Sequence, residues 1–377
     1  MLDDLRRAEA RTRAERAGRA APAFRIERGD PARDKGAMLA LLERNLASPE
    51  TREAKYGRYY ERNPSGPPAF WVARESGSDR VIGAVTLFPV PFRVEGMLVH
   101  AGIQGDFAVD PEYRGAFGPA IPLVRAMTAW LDESAIAFSY GIPNPNSGPI
   151  VSRLSGHAVG TVGGYAKPLR LDRALELANR VPKPLRRSAR LLDPLLRLVS
   201  REDRNRLRRS RGYRLEIPPV FDGRFSDLWR EAHRTHAIIG DRSARHLNWK
   251  YGLDPVAADI AYTILAVLDP TDRVAGYAVV TESEGKLVVA DILCRSSRGE
   301  TDRLLGHLVS WGRRRRVAGI GVRYFGPEGM LTSRLRSFGF VRWRDGAPLV
   351  VRPGASPSVV DESGTESWYF VGGDSDV

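Results

Sequence analysis

The feature that most limits how this chain can fold is that it repeats itself. The stretch Asp79-Arg-Val-Ile-Gly83-Ala-Val85 returns as Asp272-Arg-Val-Ala-Gly276-Tyr-Ala278. An aromatic turn segment precedes each copy, YYERNPSGP in the first and WKYGLDP, ending at Pro255, in the second. Downstream, Gly105-Asp106-Phe107 matches Ala290-Asp291-Ile292, Arg114-Gly115 matches Arg298-Gly299, and Ser152-Arg153-Leu154 matches Ser333-Arg334-Leu335. All five matches keep one chain order, at offsets of 181 to 193 residues. Chance produces one such match; five in register mark a duplicated unit. A length of 377 residues also suits two cores better than one.

Each unit reads the same way. FWVARE then RVIGAVTLF form two adjacent strands, as do AYTILAVL then RVAGYAVVTE, each pair parted by a turn rich in Gly, Ser, Asp or Pro. A further strand follows, GIQGDFAV or KLVVADIL. Next comes an amphipathic helix, with Leu123, Val124, Met127 and Leu131 at helical spacing, matched by Leu304, Leu305 and Leu308. Short strands AIAFSYGI and GIGVRYFG come after it, while FRIERGD and PARDKGAMLALLERNLA read as the opening strand and helix. A hairpin feeding strand–helix–strand predicts a mixed α/β (α+β) unit, a mostly antiparallel twisted sheet with flanking helices. The chain divides into a charged extension (1–21), a first unit (22–168), a basic helical connector (169–213) and a second unit (214–377).

Composition removes several classes. Apolar residues at 42% and charged residues at 27% describe a globular chain. No apolar run reaches the roughly 18 residues that span a bilayer, and the opening residues lack a signal-type core, so a cytoplasmic protein is expected. Cys294 is the only cysteine, and the six histidines show no metal-binding spacing, so neither an internal disulfide nor a metal is expected. The formal charge is +13, and residues 167–214 carry sixteen Lys/Arg against five Asp/Glu. Such a segment is either a solvated connector or a basic amphipathic patch that rests peripherally on the anionic inner face of a membrane.

The chemistry concentrates in DFAVDPEYRGAFGPAIPLVRAM. A strand ending at Val109 turns at Asp110-Pro111, and Arg114-Gly115-x-x-Gly118 then leads into a helix. Gly115 and Gly118 let main chain approach a ligand, and Pro119 suits the first helical position. Unpaired N–H groups at a helix start make an anion site suited to a diphosphate.

This segment resembles the acyl-CoA motif of the GNAT superfamily, a strand followed by V-x-P-x-x-R-G-x-G-x-G/A and a helix. Val109, Pro111, Arg114, Gly115, Gly118 and Ala120 fit it, with one extra residue between Gly115 and Gly118. Asn146 and Gly156 resemble the next motif, but its usual tyrosine is missing, and Val151, Ser152 and Arg153 stand there. The resemblance spans both units, about 22–168 and 214–370, and the ending WYFVGGDSD is also similar to tandem GNAT proteins of bacterial surface-polysaccharide clusters. It implies an acyl-CoA co-substrate, acetyl-CoA above all, held by Phe107, Ala108, Val109, Arg114, Gly115, Ala116, Phe117, Gly118, Pro119, Ala120 and Asn146.

The reaction so implied is N-acyl transfer to the amine of a small or sugar-like acceptor. Main-chain N–H groups of the Asp106–Val109 strand would polarise the thioester. Asp106 would be the base and Tyr140 the acid. Asp291 occupies the place of Asp106 in the other unit, so a structural role for both aspartates stays open. The second unit replaces the glycine loop with ETDR, whose acids repel a diphosphate, and is expected to be a degenerate copy that shapes the acceptor pocket. Aromatics at 56–60 and 249–251 are expected where the units meet. Two other classes stay open: an aminoacyl-tRNA-dependent transferase, disfavoured by the CoA-type loop and hence leaving nucleic acid an unfavoured partner, and a non-catalytic binding protein.

Overall fold

A computed structural model describes residues 24–46, 50–115, 117–170, 212–251, 260–295, 298–342, 346–355 and 367–375. The extension 1–21, nearly all of the basic connector and Ala116 lie outside the described residues.

The first unit opens with β1 (Phe24–Arg28), α1 (Lys35–Asn45) and α2 (Arg52–Tyr56), the last running into a turn of π-helix, Gly57–Glu61. Strands β2 (Ala69–Glu75), β3 (Val81–Val94) and β4 (Met97–Val109) follow β1 in one antiparallel meander. Then come α3 (Ala120–Glu133), β5 (Phe138–Gly141), α4 (Gly148–Leu154) and β6 (His157–Pro168). The second unit runs β7 (Arg214–Glu216), α5 (Gly223–Ala232), β8 (Ile238–Gly240) and α6 (Ala244–Lys250). Its meander is β9 (Tyr262–Leu268), β10 (Val274–Ser283) and β11 (Lys286–Cys294), followed by α7 (Arg298–Arg314) and β12 (Gly319–Phe325). It closes with α8 (Ser333–Ser337), β13 (Val341–Arg342), β14 (Ala347–Pro353) and β15 (Trp368–Val371).

The repeat is visible in the backbone. Asp79 and Asp272 both take positive φ, 58° and 64°, in the turns before β3 and β10. The next hairpins turn on Glu95-Gly96 (φ 50° and 78°) and Glu284-Gly285 (φ 50° and 68°), two-residue turns whose positive φ matches the strand twist. Register agrees as well: Gly83 pairs with Val109 as Gly276 pairs with Cys294. The helices bury the expected stripes, Leu123, Val124, Met127 and Leu131 on α3 and Leu304, Leu305 and Leu308 on α7.

Strand β3 continues past its expected end through Pro89 and Pro91. Their carbonyls accept from Asn63 and from the Asp241 N–H, so the side of β3 that lacks their N–H groups faces away from β4. There the ladder with β2 has already ended at Leu87, and no donor is missed.

The two units exchange strands. β14 of the second unit inserts between β5 and β6 of the first, antiparallel to both. In return, the second half of β6, Gly163–Pro168, lies between β12 and β13 of the second unit. β8 adds a further link, pairing with β3 on one side and β15 on the other. The aromatic segments meet where expected: Trp249 donates its indole N–H to the Arg58 carbonyl at 3.1 Å and packs edge-on against Tyr59.

Candidate active site

Strands β4 and β5 run parallel, but they pair only from Ala101–Phe138 to Ile103–Tyr140. Beyond that point they diverge, because β4 bulges. Thr86 of β3 faces Gly105 while Ala84 faces Ala108, so Asp106 and Phe107 have only Val85 between them on β3. Asp106 takes φ 46°, a left-handed conformation that costs a non-glycine residue about 1–2 kcal/mol. The carboxylate offsets that cost with buried partners. Lys55 Nζ reaches Oδ1 at 2.9 Å, and the Tyr60 hydroxyl donates to Oδ2 at 2.9 Å while lying 2.8 Å from Thr86 Oγ1.

The divergence opens a cavity of about 240 Å³. Its walls include Asp106, Phe107 and Tyr140 among the residues anticipated from sequence. Asn146 is exposed and its turn places Asn144 and Ser147 on the wall instead. Glu50, Arg52 and Lys55 line the side towards α2, and Phe370 and Ser375 come from the C-terminal segment. None of these five was legible in the sequence, since each reaches the cavity through contacts remote along the chain. Tyr140 is buried, and its hydroxyl donates to the Asp374 carbonyl at 2.8 Å, so its proton points at that segment. Gln104 staples the apex of the cleft by donating to Ser139 Oγ at 2.9 Å.

The glycine loop sits at the outer end of β4. Asp110 anchors it to α1 through Asn45 at 2.9 Å and Arg44 at 3.2 Å. Arg114 donates to the Val109 carbonyl and to Asn45 Oδ1, at 2.9 and 2.8 Å, so this motif arginine braces the loop. Gly118 is obligatory: a Cβ there would lie 2.0 Å from the Tyr113 carbonyl oxygen. The helix starts at Ala120, which makes Pro119 the N-cap rather than the first helical residue. Among the described residues the N–H groups of Phe117 and Ile121 show no backbone acceptor, whereas Gly118 donates to Gly115. Donors at a helix start, beyond the end of the strand that walls the cavity, fit a diphosphate carrying a long arm.

The second unit has the same cleft, filled. β11 and β12 pair from Leu287–Ile320 to Val289–Val322 and then part. Beyond that point β15 pairs with β12, Tyr324 with Val371 and Phe325 with Phe370. The following Gly372-Gly373 lies against the Val289 and Ala290 carbonyls of β11, and Tyr369 donates to the Ile292 carbonyl. Asp291 repeats the aspartate network, accepting from Tyr251 at 2.9 Å and Arg242 at 3.2 Å. Arg242 also donates to Asp374 at 2.6 Å. Burial alone would lower the pKa of this guanidinium, but Asp291 and Asp374 outweigh burial and hold it well above the ordinary arginine value. The chain's own C-terminal segment thus occupies the cleft that stands open in the first unit.

No protein-family model matches the sequence, and no curated protein matches it significantly. Solved structures do match. A GCN5-related N-acetyltransferase from Anabaena variabilis is similar over 88% of this chain and 73% of its own, with a TM-score of 0.58 at 15% identity. A tandem GNAT protein from the clavulanic acid biosynthesis pathway matches over 89% of this chain and all of its own, at 16% identity and a TM-score of 0.52. Saccharomyces cerevisiae N-myristoyltransferase with bound myristoyl-CoA matches over 92% and 85%, at 9% identity and a TM-score of 0.55. The chain shares the fold of these solved acyltransferase structures. Two units exchange strands in it, and among the described residues the first unit's cleft is open.

Proposed function

We propose that the protein is an acyl-CoA-dependent N-acyltransferase, with acetyl-CoA as the first donor to test and a small or sugar-like amine as acceptor, working only at the first unit's cleft. The observation that carries this reading is the contrast between the two clefts. One is open and walled by the strand that ends before the glycine loop and by the helix that follows it, and the other is filled by the protein itself.

Acyl-CoA, when bound, supplies a thioester carbonyl. The protein's part is positioning and proton transfer. The N–H groups of Phe117 and Ile121 face the diphosphate, and the bulge at Asp106-Phe107 frees main-chain N–H groups to polarise the carbonyl. Asp106 takes the proton of the incoming amine, directly or through water, while Lys55 and Tyr60 hold its carboxylate towards the cavity. The Tyr140 hydroxyl, on turning from the Asp374 carbonyl, returns a proton to the departing sulfur.

The test is a thiol-release screen of acetyl-CoA against amino sugars, polyamines and small amines, with calorimetry of donor binding. Gly118→Val should weaken donor binding tenfold or more, about 1.4 kcal/mol. Asp106→Asn should lower kcat far more than donor affinity. Unchanged affinity in the first variant, or near-normal turnover in the second, overturns the corresponding assignment.

A further inference from the structure

The cavity is divided. Its charged end faces α2 with Glu50, Arg52, Lys55 and Asp106, whereas at its inner end, where β4 and β5 still pair, Ile103, Tyr140 and Phe370 stand beside the uncharged Gln104. From Val109, beside the glycine loop, to Ile103 at the apex is six residues of strand, roughly 20 Å. A donor arm laid along β4 from a diphosphate at the loop brings its thioester to the Asp106 bulge and points its acyl group at the apex. The charged end is then left for the amine.

Beside Gln104, three side chains wall the apex, Ile103, Tyr140 and Phe370, each no more than 1% exposed. The first two belong to the first unit. Phe370 is carried by β15 of the second, with its ring edge-on against Tyr140 at 5.8 Å between centroids. This wall is fixed from several sides. Phe370 pairs with Phe325 in the sheet, Arg242 holds Asp374 at 2.6 Å, and Tyr140 donates to the Asp374 carbonyl at 2.8 Å. An end walled by buried rings limits how many methylenes fit, since packed interiors resist extra volume.

We propose that Phe370, supplied by the second unit, gauges the acyl group accepted by the first unit's cleft and restricts it to a short chain. The second unit then sets donor specificity through the same segment that fills its own cleft. The proposal rests on the acyl-CoA reading above.

Calorimetric titration of the full chain with acetyl-, butyryl-, hexanoyl- and octanoyl-CoA tests it without an acceptor. The intact protein should bind acetyl-CoA in preference to hexanoyl-CoA by ~100-fold or more, since one methylene too many costs 10-fold or more. Phe370→Ala, and the milder Phe370→Leu should the first not fold, should cut that preference at least tenfold by improving the longer donors. A chain-length profile that stays parallel in a folded variant overturns the gauge while leaving the acyl-CoA reading standing. A variant that changes only the KM of the amine acceptor overturns it too, by giving Phe370 to the acceptor. Failure of the intact protein to bind any acyl-CoA, desulfo-CoA included, sinks both the reading and the gauge built on it.

Discussion

Asp106→Asn should destabilise the protein by an amount the structure lets one work out. In the folded state Lys55 and Asp106 are a buried pair, with side chains 9% and 1% exposed and 2.9 Å apart. Neutralising the aspartate leaves the Lys55 ammonium buried beside an amide, and removing one partner of such a pair costs about 3–5 kcal/mol. It also weakens the acceptor of the Tyr60 hydroxyl, although the two losses share one carboxylate and do not add. Lys55→Met should cost a similar amount by stranding the carboxylate. The double variant should recover part of the loss, because replacing both ions by neutral groups removes both desolvation terms. Guanidinium unfolding of the four proteins measures the cycle. Arg352 and Asp132, 2.8 Å apart but with side chains 29% and 49% exposed, make a surface comparison expected to couple by no more than about 1 kcal/mol. Additivity of the two single changes, or an Asp106→Asn protein within about 1 kcal/mol of the parent, would refute the claim that this pair offsets the strained bulge.

Titration with acetyl-CoA should give one site per chain, because the second cleft is occupied by residues 369–373; two equivalent sites would show that segment to be displaceable. Burial above all, then Arg242 and His233, pushes the His236 pKa down to about 4 from an ordinary 6.5. As pH falls from 6.5 the unfolded chain therefore takes up a proton that the folded one refuses. Stability should drop by about 3 kcal/mol, complete below pH 4, and His236→Phe should flatten the acid limb of the unfolding profile. If residues 167–214 form a basic membrane surface, the protein should co-sediment with anionic vesicles in a salt-sensitive way, each Lys or Arg near the surface adding about 1 kcal/mol. Neutralising Arg204, Arg206, Arg208 and Arg209 together should abolish that binding, and binding that survives would return the segment to a plain linker.

What the sequence determined by itself is what neighbouring residues decide among themselves. The positive-φ turns at Asp79 and Asp272 and the stripes of α3 and α7 follow from turn chemistry and helical period, which act within a few residues. The duplication was legible because it repeats those local signals in order. The loop at Arg114–Gly118 was legible for the same reason, as was the match of Asp106 with Asp291, though not the bulge at Asp106. Beyond that range the chain carried no local sign. The exchange of β6 and β14 is set by which sheet edge each glycine-rich or short strand meets, and that depends on both units being folded. The ion pair of Asp106 joins residues 51 apart, and the Tyr140 hydroxyl meets a carbonyl 234 residues away. The acids of ETDR led to the expectation that the second unit takes no diphosphate. Only the tertiary structure revealed that β15 completes the ladder of β12 there, where backbone groups left unpaired in a buried cleft would cost more than those paired by the chain's own strand.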